Sequence, residues 1–161
     1  MKISAQEEYG LRCLVQLANL DDGDSLSLPQ IAELEGISTA NAGKLMWLLN
    51  KADFVHSTRG TKGGYQLARP ANEIHLNEII KVLDEDVMTK HCGSYTGVLD
   101  SCVHNGDCGI RPVLIGLHEI VENALSRITL AQLVGSESSV DATFHKIQGI
   151  HRTLDSVVSS Q

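Results

Sequence analysis

The sequence predicts a mainly helical α+β fold, a winged helix-turn-helix followed by a long C-terminal helix. Apolar residues first recur at helical spacing up to Leu49. A Gly-rich basic segment then separates two β-prone stretches after Asp53, and a second helical pattern runs from Ile110 to Ile128. The 161 residues are enough for one ordinary domain with its own core.

The first three predicted helices each have an N-terminal signal. Ser4 opens an S-x-x-E capping box that starts a helix over about 5–20. A second, short helix starts at Ser27 and ends at Gly36, and Ser38 can cap a third. Two short helices joined by a tight turn that contains glycine are typical of a helix-turn-helix.

After the third helix the pattern becomes typical of strands. The segment 54–67 has β-prone ends around a basic tip with three glycines, which predicts a hairpin, the wing. A fourth helix is predicted from Asn77 to Asp84, and residues 90–109 read as a loop.

A long helix is predicted after this loop. Its apolar residues from Ile110 to Ile128 repeat with spacings of 4, 3, 4, 3 and 4. Such a seam can pack lengthwise on another helix, either in the core of this chain or in a second copy. One more apolar turn follows at 128–134, and in the Ser-rich tail the pattern predicts weak helicity over 144–158.

Charge is distributed unevenly along the chain. The 13 Lys and Arg against 20 Asp and Glu give a net charge of -7, which by itself argues against a nucleic-acid partner. Residues 1–35 carry 2 basic and 7 acidic side chains, residues 36–70 carry 5 and 1, and residues 71–161 carry 6 and 12. The middle segment, at +4, holds the predicted third helix and wing, so one face of an acidic protein suits DNA.

The third helix and the wing carry side chains suited to double-stranded DNA. The first turn of a helix fits the major groove, where Asn41 can pair with adenine and Lys44 can meet phosphate. At the wing tip Arg59 can enter the minor groove, although a solvated basic hairpin is the alternative. The candidate DNA-binding residues are Ser38, Thr39, Ala40, Asn41, Lys44, Arg59, Gly60, Lys62 and Gly63.

Three of the four cysteines fall within seventeen residues, at Cys92, Cys102 and Cys108. The N-terminus has acids where a signal peptide would be apolar, and no run of eighteen apolar residues occurs, so we expect a cytoplasmic protein without a membrane partner. In a reducing compartment such a cluster favours metal or redox chemistry over disulfides. Three thiolates leave one ligand position open in an iron–sulfur or zinc site, and His104 or His91 could fill it.

The order of these parts resembles the Rrf2 family of bacterial winged-helix regulators, the group that contains IscR and NsrR. The resemblance covers about residues 1–135 and depends on the cysteine loop and four other stretches: 8–12, 31–38, 59–65 and 129–133. It implies a homodimer held by the long helices, which offers one winged helix to each half of a pseudo-palindromic operator. It also implies that the three cysteines hold an iron–sulfur cluster, 2Fe-2S or 4Fe-4S, whose loss, oxidation or nitrosylation changes DNA binding.

Two departures from the family pattern concern the cysteine loop and the fourth ligand. The first cysteine gap, nine residues, is longer than in IscR-like members, and Arg111 stands where they have a histidine. NsrR-like members take a carboxylate from the partner's first helix, and Glu8 matches that position. The resemblance therefore ranks Glu8 of the partner subunit first, His104 second and His118 third. The alternative for Glu8 is an acid favoured by the helix dipole.

The sequence thus predicts three divisions: a winged helix-turn-helix DNA-binding domain at 1–75, a cysteine loop and dimerisation helix at 76–135, and a tail at 136–161. We expect an iron–sulfur transcription regulator, a repressor, that senses redox state, nitric oxide or cluster status. A zinc-stabilised or thiol-redox regulator of the same fold is the alternative. A small redox or cluster-carrier protein is disfavoured and an enzyme is not expected, because no paired acid, base or nucleophile accompanies the cysteines.

Overall fold

The elements of the fold follow the predicted order. The computed structural model describes residues 3–21, 23–58, 63–83, 102–104 and 106–148. Its helices and strands are α1 (Ala5–Ala18), α2 (Leu28–Glu35), α3 (Thr39–Lys51), β1 (Val55–Ser57), β2 (Tyr65–Leu67), α4 (Leu76–Leu83), α5 (Arg111–Leu125) and α6 (Glu137–Gln148). Short 3₁₀ helices lie at Ala71–Glu73 and Leu130–Leu133. The mainly helical winged helix-turn-helix prediction is confirmed.

The predicted caps form at the helix starts. At α1 the Ser4 hydroxyl accepts from the Glu7 N–H at 3.2 Å, and the Glu7 carboxylate accepts from the Ser4 N–H at 2.6 Å. Gly36 ends α2 with a φ of 64°, a left-handed conformation that glycine adopts without steric cost. Ser38 caps α3 by accepting from the Asn41 N–H at 3.2 Å. Short polar side chains therefore set where these helices begin.

The core lies where α1, α3 and α4 meet. The largest fully buried side chains are Cys13, Leu14, Ile31, Leu45, Met46, Leu49, Val55, Ile74, Ile79, Leu83 and Leu130. Leu130 belongs to the segment after α5, so the chain returns from the long helix to the N-terminal core. Backbone hydrogen bonds secure this return: the Leu76 N–H donates to the Ile128 carbonyl at 3.0 Å, and the Leu130 N–H donates to the Ile74 carbonyl at 2.8 Å.

The wing is a short antiparallel hairpin. Val55 pairs with Leu67 and Ser57 with Tyr65. Tyr65 also pairs with Leu26 on its other side, with backbone N–H to O distances of 2.7 and 3.1 Å. The hairpin is thereby attached to the segment that leads into α2.

The C-terminal part differs from its prediction. The sequence predicts weak helicity over 144–158, whereas α6 spans Glu137–Gln148, and residues beyond 148 lie outside the described part. The early start has a local cause, because Ser136 accepts backbone hydrogen bonds from the Ser139 and Val140 N–H groups at 3.0 Å. Across the described ranges, no helix is both long and apolar enough to cross a membrane.

Candidate nucleic-acid interface and thiol segment

The N-terminal half of α3 is free on its outer side. The helix buries Ala42, Leu45, Met46 and Leu49 against the core. Its first turn is therefore exposed, as are all five candidate DNA-binding residues on it: Ser38, Thr39, Ala40, Asn41 and Lys44. Unpaired N–H groups and short polar side chains at a helix start can bind phosphate and base edges. The structure thus brings these five residues together on one accessible surface.

The base of the wing is fixed to α3. The Asn50 amide donates to the Val55 carbonyl at 2.9 Å, and the Thr58 N–H donates to the Gly64 carbonyl at 2.8 Å. Gly63 lies half-buried at this base. The remaining candidate wing residues, Arg59, Gly60 and Lys62, lie outside the described residues. The helix α3 and the base of the wing are therefore held as one unit.

Two of the three clustered cysteines lie directly before α5. Cys102 and Cys108 are free and half-buried, in a segment without regular structure (102–110, the thiol segment, of which 105 is not described). Cys92 lies outside the described residues. No three His, Cys, Asp or Glu side chains of the described residues are grouped as a metal would require. His104 is exposed, and the Arg111 guanidinium donates to its backbone carbonyl at 3.3 Å.

Glu8 lies in the first turn of α1 and is accessible, with 58% of its side chain exposed. Arg12 contacts it at 3.4 Å, but the Arg12 Nε donates at 2.5 Å to Glu35, whose side chain is 2% exposed. Gln16 also donates to Glu35 at 2.7 Å. The hydrogen bond to Glu35 is the main cause that raises the pKa of Arg12. Arg12 is thus held mainly by Glu35 of α2, and Glu8 is its second, solvent-exposed ion-pair partner.

The Arg12–Glu35 pair has no signal in the sequence. The two residues are 23 positions apart, and each alone resembles a solvated charge. Beside them is a surface cleft of about 430 Å³, whose apolar lining consists of Ile3, Leu11, Val15, Leu34 and Leu133. The third-ranked ligand, His118, is half-buried on α5, and its Nδ1 has no hydrogen-bond partner among the described residues.

The predicted seam is exposed in its first half: Ile110, Leu114 and Leu117 are exposed, Val121 and Ala124 are half-buried, and Ile128 is buried. None of the residues of α5 is fully buried, and Ile120 and Leu117 are 67% and 53% exposed. With Ile110, Val113 and Leu114 they form the apolar face of α5. The Lys81 ammonium, 2.6 Å from the Glu122 carboxylate, joins α4 to another side of this helix. Exposed apolar side chains grouped on one helix face are typical of interaction sites.

The family follows from a comparison of the whole sequence. The Rrf2 model, described as an iron-dependent transcriptional regulator, matches residues 3–136. The chain belongs to the Rrf2 family. Rrf2 proteins are DNA-binding transcription regulators, so this member is a regulator and not an enzyme.

Solved structures of other Rrf2 regulators are similar to this one. IscR of T. potens is 31% identical over 81% of this chain and 84% of its own, with a TM-score of 0.62. The oxidized form of CymR from Staphylococcus aureus is 29% identical over 84% and 98%, with a TM-score of 0.66. CymR of B. subtilis, the global cysteine regulator, is 28% identical over 84% and 99%, with a TM-score of 0.64.

Proposed function

We propose that this Rrf2 regulator binds double-stranded DNA as a homodimer and changes its affinity when an iron–sulfur cluster on its cysteines changes state. The observation that carries the proposal is the position of two free thiols directly before a helix whose apolar face is exposed. A chemical event at these thiols is next to the surface that would join two subunits. The division of the chain into 1–75, 76–135 and 136–161 remains part of this proposal.

DNA contacts are assigned to α3 and the wing. Asn41 and the N–H groups at the start of α3 would meet base edges, while Lys44 and the wing residues Arg59 and Lys62 would meet phosphates and the minor groove. Half-sites of a dimeric operator lie one helical turn apart, so a small rotation between subunits misplaces both recognition helices. In a dimer, a change at the distant thiol segment could therefore alter DNA affinity by rotating one subunit relative to the other.

The donor set fits an iron–sulfur cluster. Cys92, Cys102, Cys108 and the partner subunit's Glu8 would hold it, and the two described thiols are free while Glu8 is exposed. When bound, a cluster supplies redox and ligand-exchange chemistry that oxidants, nitric oxide or iron supply can alter. Arg12 would keep its bond to Glu35 if Glu8 turned outward, so α1 would stay attached to α2. Couplings of this kind usually change affinity by roughly 5- to 150-fold.

A thiol-redox regulator of the same fold is the second candidate. The similarity to CymR, one structure of which is an oxidized form, favours it, and Cys102 and Cys108 are free to react. A zinc-stabilised form, with His104 as the fourth ligand, belongs to the same alternative. The thiol-redox and zinc forms would bind DNA through the same surface as the iron–sulfur form. They differ from it in the group bound to the cysteines or in the oxidation state of the thiols.

Anaerobic purification followed by absorption spectroscopy and iron, sulfide and zinc analysis separates these candidates. We expect a coloured protein with iron and sulfide whose colour is lost in Cys102→Ser. A colourless protein, with or without zinc, would contradict the cluster. Glu8→Ala should alter the spectrum or shorten the lifetime of the cluster. Glu33→Ala, which removes an exposed carboxylate of α2, is the matched control and should leave both unchanged.

DNA binding is tested separately by fluorescence anisotropy with a labelled duplex recovered from a random-sequence pool. Lys44→Ala should weaken binding and lower the slope of log affinity against log salt by about one. Lys146→Ala removes a positive charge from the exposed surface of α6 and should change neither. Equal effects of the two substitutions would contradict the assignment of α3 as the DNA surface.

A further inference from the structure

The one tryptophan of the chain, Trp47, lies on the outer side of α3 and is 60% exposed. At 3.6 residues per turn, Trp47 lies in a narrow stripe of α3, about 60° wide, that also contains Ala40, Lys44 and Lys51. We call these four residues the outward stripe. The same geometry places the stripe opposite the buried residues Ala42, Leu45, Met46 and Leu49. Trp47 therefore points away from the core along the line that a groove-bound α3 would turn toward DNA.

The position of Trp47 along α3 selects the part of the DNA within its reach. With a rise of about 1.5 Å per residue, it lies about 9 Å beyond Asn41 along the helix axis. The major groove is about 12 Å wide. When the first turn of α3 contacts the base edges, the second half of the helix lies beside the sugar–phosphate backbone that borders the groove. Trp47 would then meet deoxyribose and phosphate and not a base edge.

The charged and apolar groups around the indole suit contact with the sugar–phosphate backbone. The Lys51 ammonium lies over the ring, 5.4 Å from its centroid, and Lys44 is one turn earlier on the same stripe. The indole has an apolar face that can pack on a deoxyribose, and its N–H is a donor that phosphate oxygen can accept. The stripe lies in the segment 36–70, which carries +4, so its charge complements DNA and disfavours a basic partner.

We infer that Trp47, together with Lys51, is a backbone-anchoring contact of α3, with the indole packed on a deoxyribose and the ammonium beside a phosphate. The contact adds affinity for any DNA sequence and leaves base readout to the first turn of the helix. This inference rests on the proposed binding of DNA through α3. Tryptophan is among the residues that dominate binding energy when an interface covers them, whereas exposed tryptophan without a partner is uncommon.

Fluorescence of the full-length protein tests the inference directly, because Trp47 is the one tryptophan and its emission reports on this site alone. An unlabelled duplex from the random-sequence selection should change the emission and protect the indole from quenching by acrylamide. Anisotropy with the labelled duplex gives the concentration at which binding is saturated. If anisotropy shows binding but acrylamide quenches Trp47 as in the free protein, the inference is overturned. If anisotropy shows no binding, the proposed function itself has failed.

Substitutions give a second, independent readout. Trp47→Ala should weaken binding roughly tenfold on both the selected and an unrelated duplex without changing the salt slope, because it removes apolar packing. Lys51→Ala should lower the slope by about one. Phe144→Ala and Lys146→Ala remove an exposed aromatic ring and an exposed cation of α6, and should leave affinity and slope unchanged. A Trp47→Ala loss confined to the selected duplex, or equal to that of Phe144→Ala, would overturn the contact.

Discussion

Asp53 is the residue at which backbone geometry and sequence conflict. It is the one non-glycine residue with positive φ in the described part of the chain, at 58°. It follows the C-cap of α3, where its N–H donates to the Asn50 carbonyl at 3.1 Å. Glycine is the usual residue at this point of a helix end because a Cβ is strained there. The position matters because the next residues begin the wing.

We predict that Asp53→Gly raises the free energy of unfolding by about 0.5–1 kcal/mol, since the strain of the left-handed conformation is relieved. Thermal unfolding should show a melting temperature higher by roughly 1–4 °C. Asp53→Ala removes the same charge but keeps a Cβ, so it should not stabilise the protein. Equal stabilisation by both substitutions would show that the charge, and not the backbone, was responsible.

Cys13 differs in its surroundings from Cys102 and Cys108, the other two cysteines that the structure describes. It is fully buried in the core. Burial, with a further contribution from the Glu35 carboxylate, raises the pKa of this thiol from 9.0 to about 11. The neutral thiol is therefore the form that the fold favours, and the thiolate needed for modification is disfavoured.

We predict that the contribution of Cys13 to stability is complete below pH 9 and is lost as the pH rises through about 11, because the unfolded thiol ionises first. Chemical unfolding of the wild type and Cys13→Ala from pH 8 to pH 11 measures it. The stability difference between the two should shrink across this interval. A difference independent of pH would contradict the raised pKa, as would labelling of Cys13 as fast as Cys102 in the folded protein.

At the scale of elements, close contact between α1 and α4 explains a glycine in the middle of a helix. A Cβ on Gly10 would lie 2.5 Å from the Leu83 Cδ1, and Leu83 is itself fully buried. Gly43 in α3 is the contrasting case, because a Cβ there would meet its nearest atom, in Leu28, at 4.0 Å. Gly10 and Gly43 thus have opposite surroundings, although both lie inside helices.

We predict that Gly10→Ala lowers the free energy of unfolding by about 1–3 kcal/mol, because the fully buried Leu83 must then shift within a packed core. Gly43→Ala should be neutral or raise it by up to about 1 kcal/mol, since alanine is the better helix former. Urea unfolding of both variants measures the difference. The packing argument would be wrong if Gly10→Ala were as stable as Gly43→Ala.

At the scale of the whole molecule, the return of the chain after α5 matters most. The backbone pairing of His75 with Thr129 and the burial of Leu130 attach the end of α5 to the core of the winged helix. Lys81 and Glu122 add an ion pair between α4 and α5. These contacts join the long helix to the DNA-binding part, a connection that the proposed regulation requires.

We predict that Leu117→Asp converts a dimer into a monomer, because it places a charge in the apolar face of α5. Sedimentation velocity measures the mass, and affinity for a duplex with two half-sites should fall by roughly a hundredfold or more as the second half-site contact is lost. Asn123→Asp introduces the same charge on another side of α5 and should leave the mass unchanged. A monomeric wild type would contradict the homodimer.

What the sequence by itself determined was local. The starts of α1, α2 and α3, the hairpin and the apolar seam of α5 follow from caps, periods and spacing among residues that are close in the chain. Whether that seam is buried or exposed does not. These signals are strong because capping hydrogen bonds and side-chain faces depend on near neighbours in the chain.

Tertiary structure alone decided the contacts between distant residues. The Arg12–Glu35 pair, the approach of Leu83 to Gly10 and the burial of Leu130 each join positions that no local pattern relates. The outward direction of Trp47 likewise depends on which face of α3 the core covers. Apolar surface is buried, and a buried charge is paired, only when separate elements pack together. The local sequence pattern therefore contains no signal for such contacts.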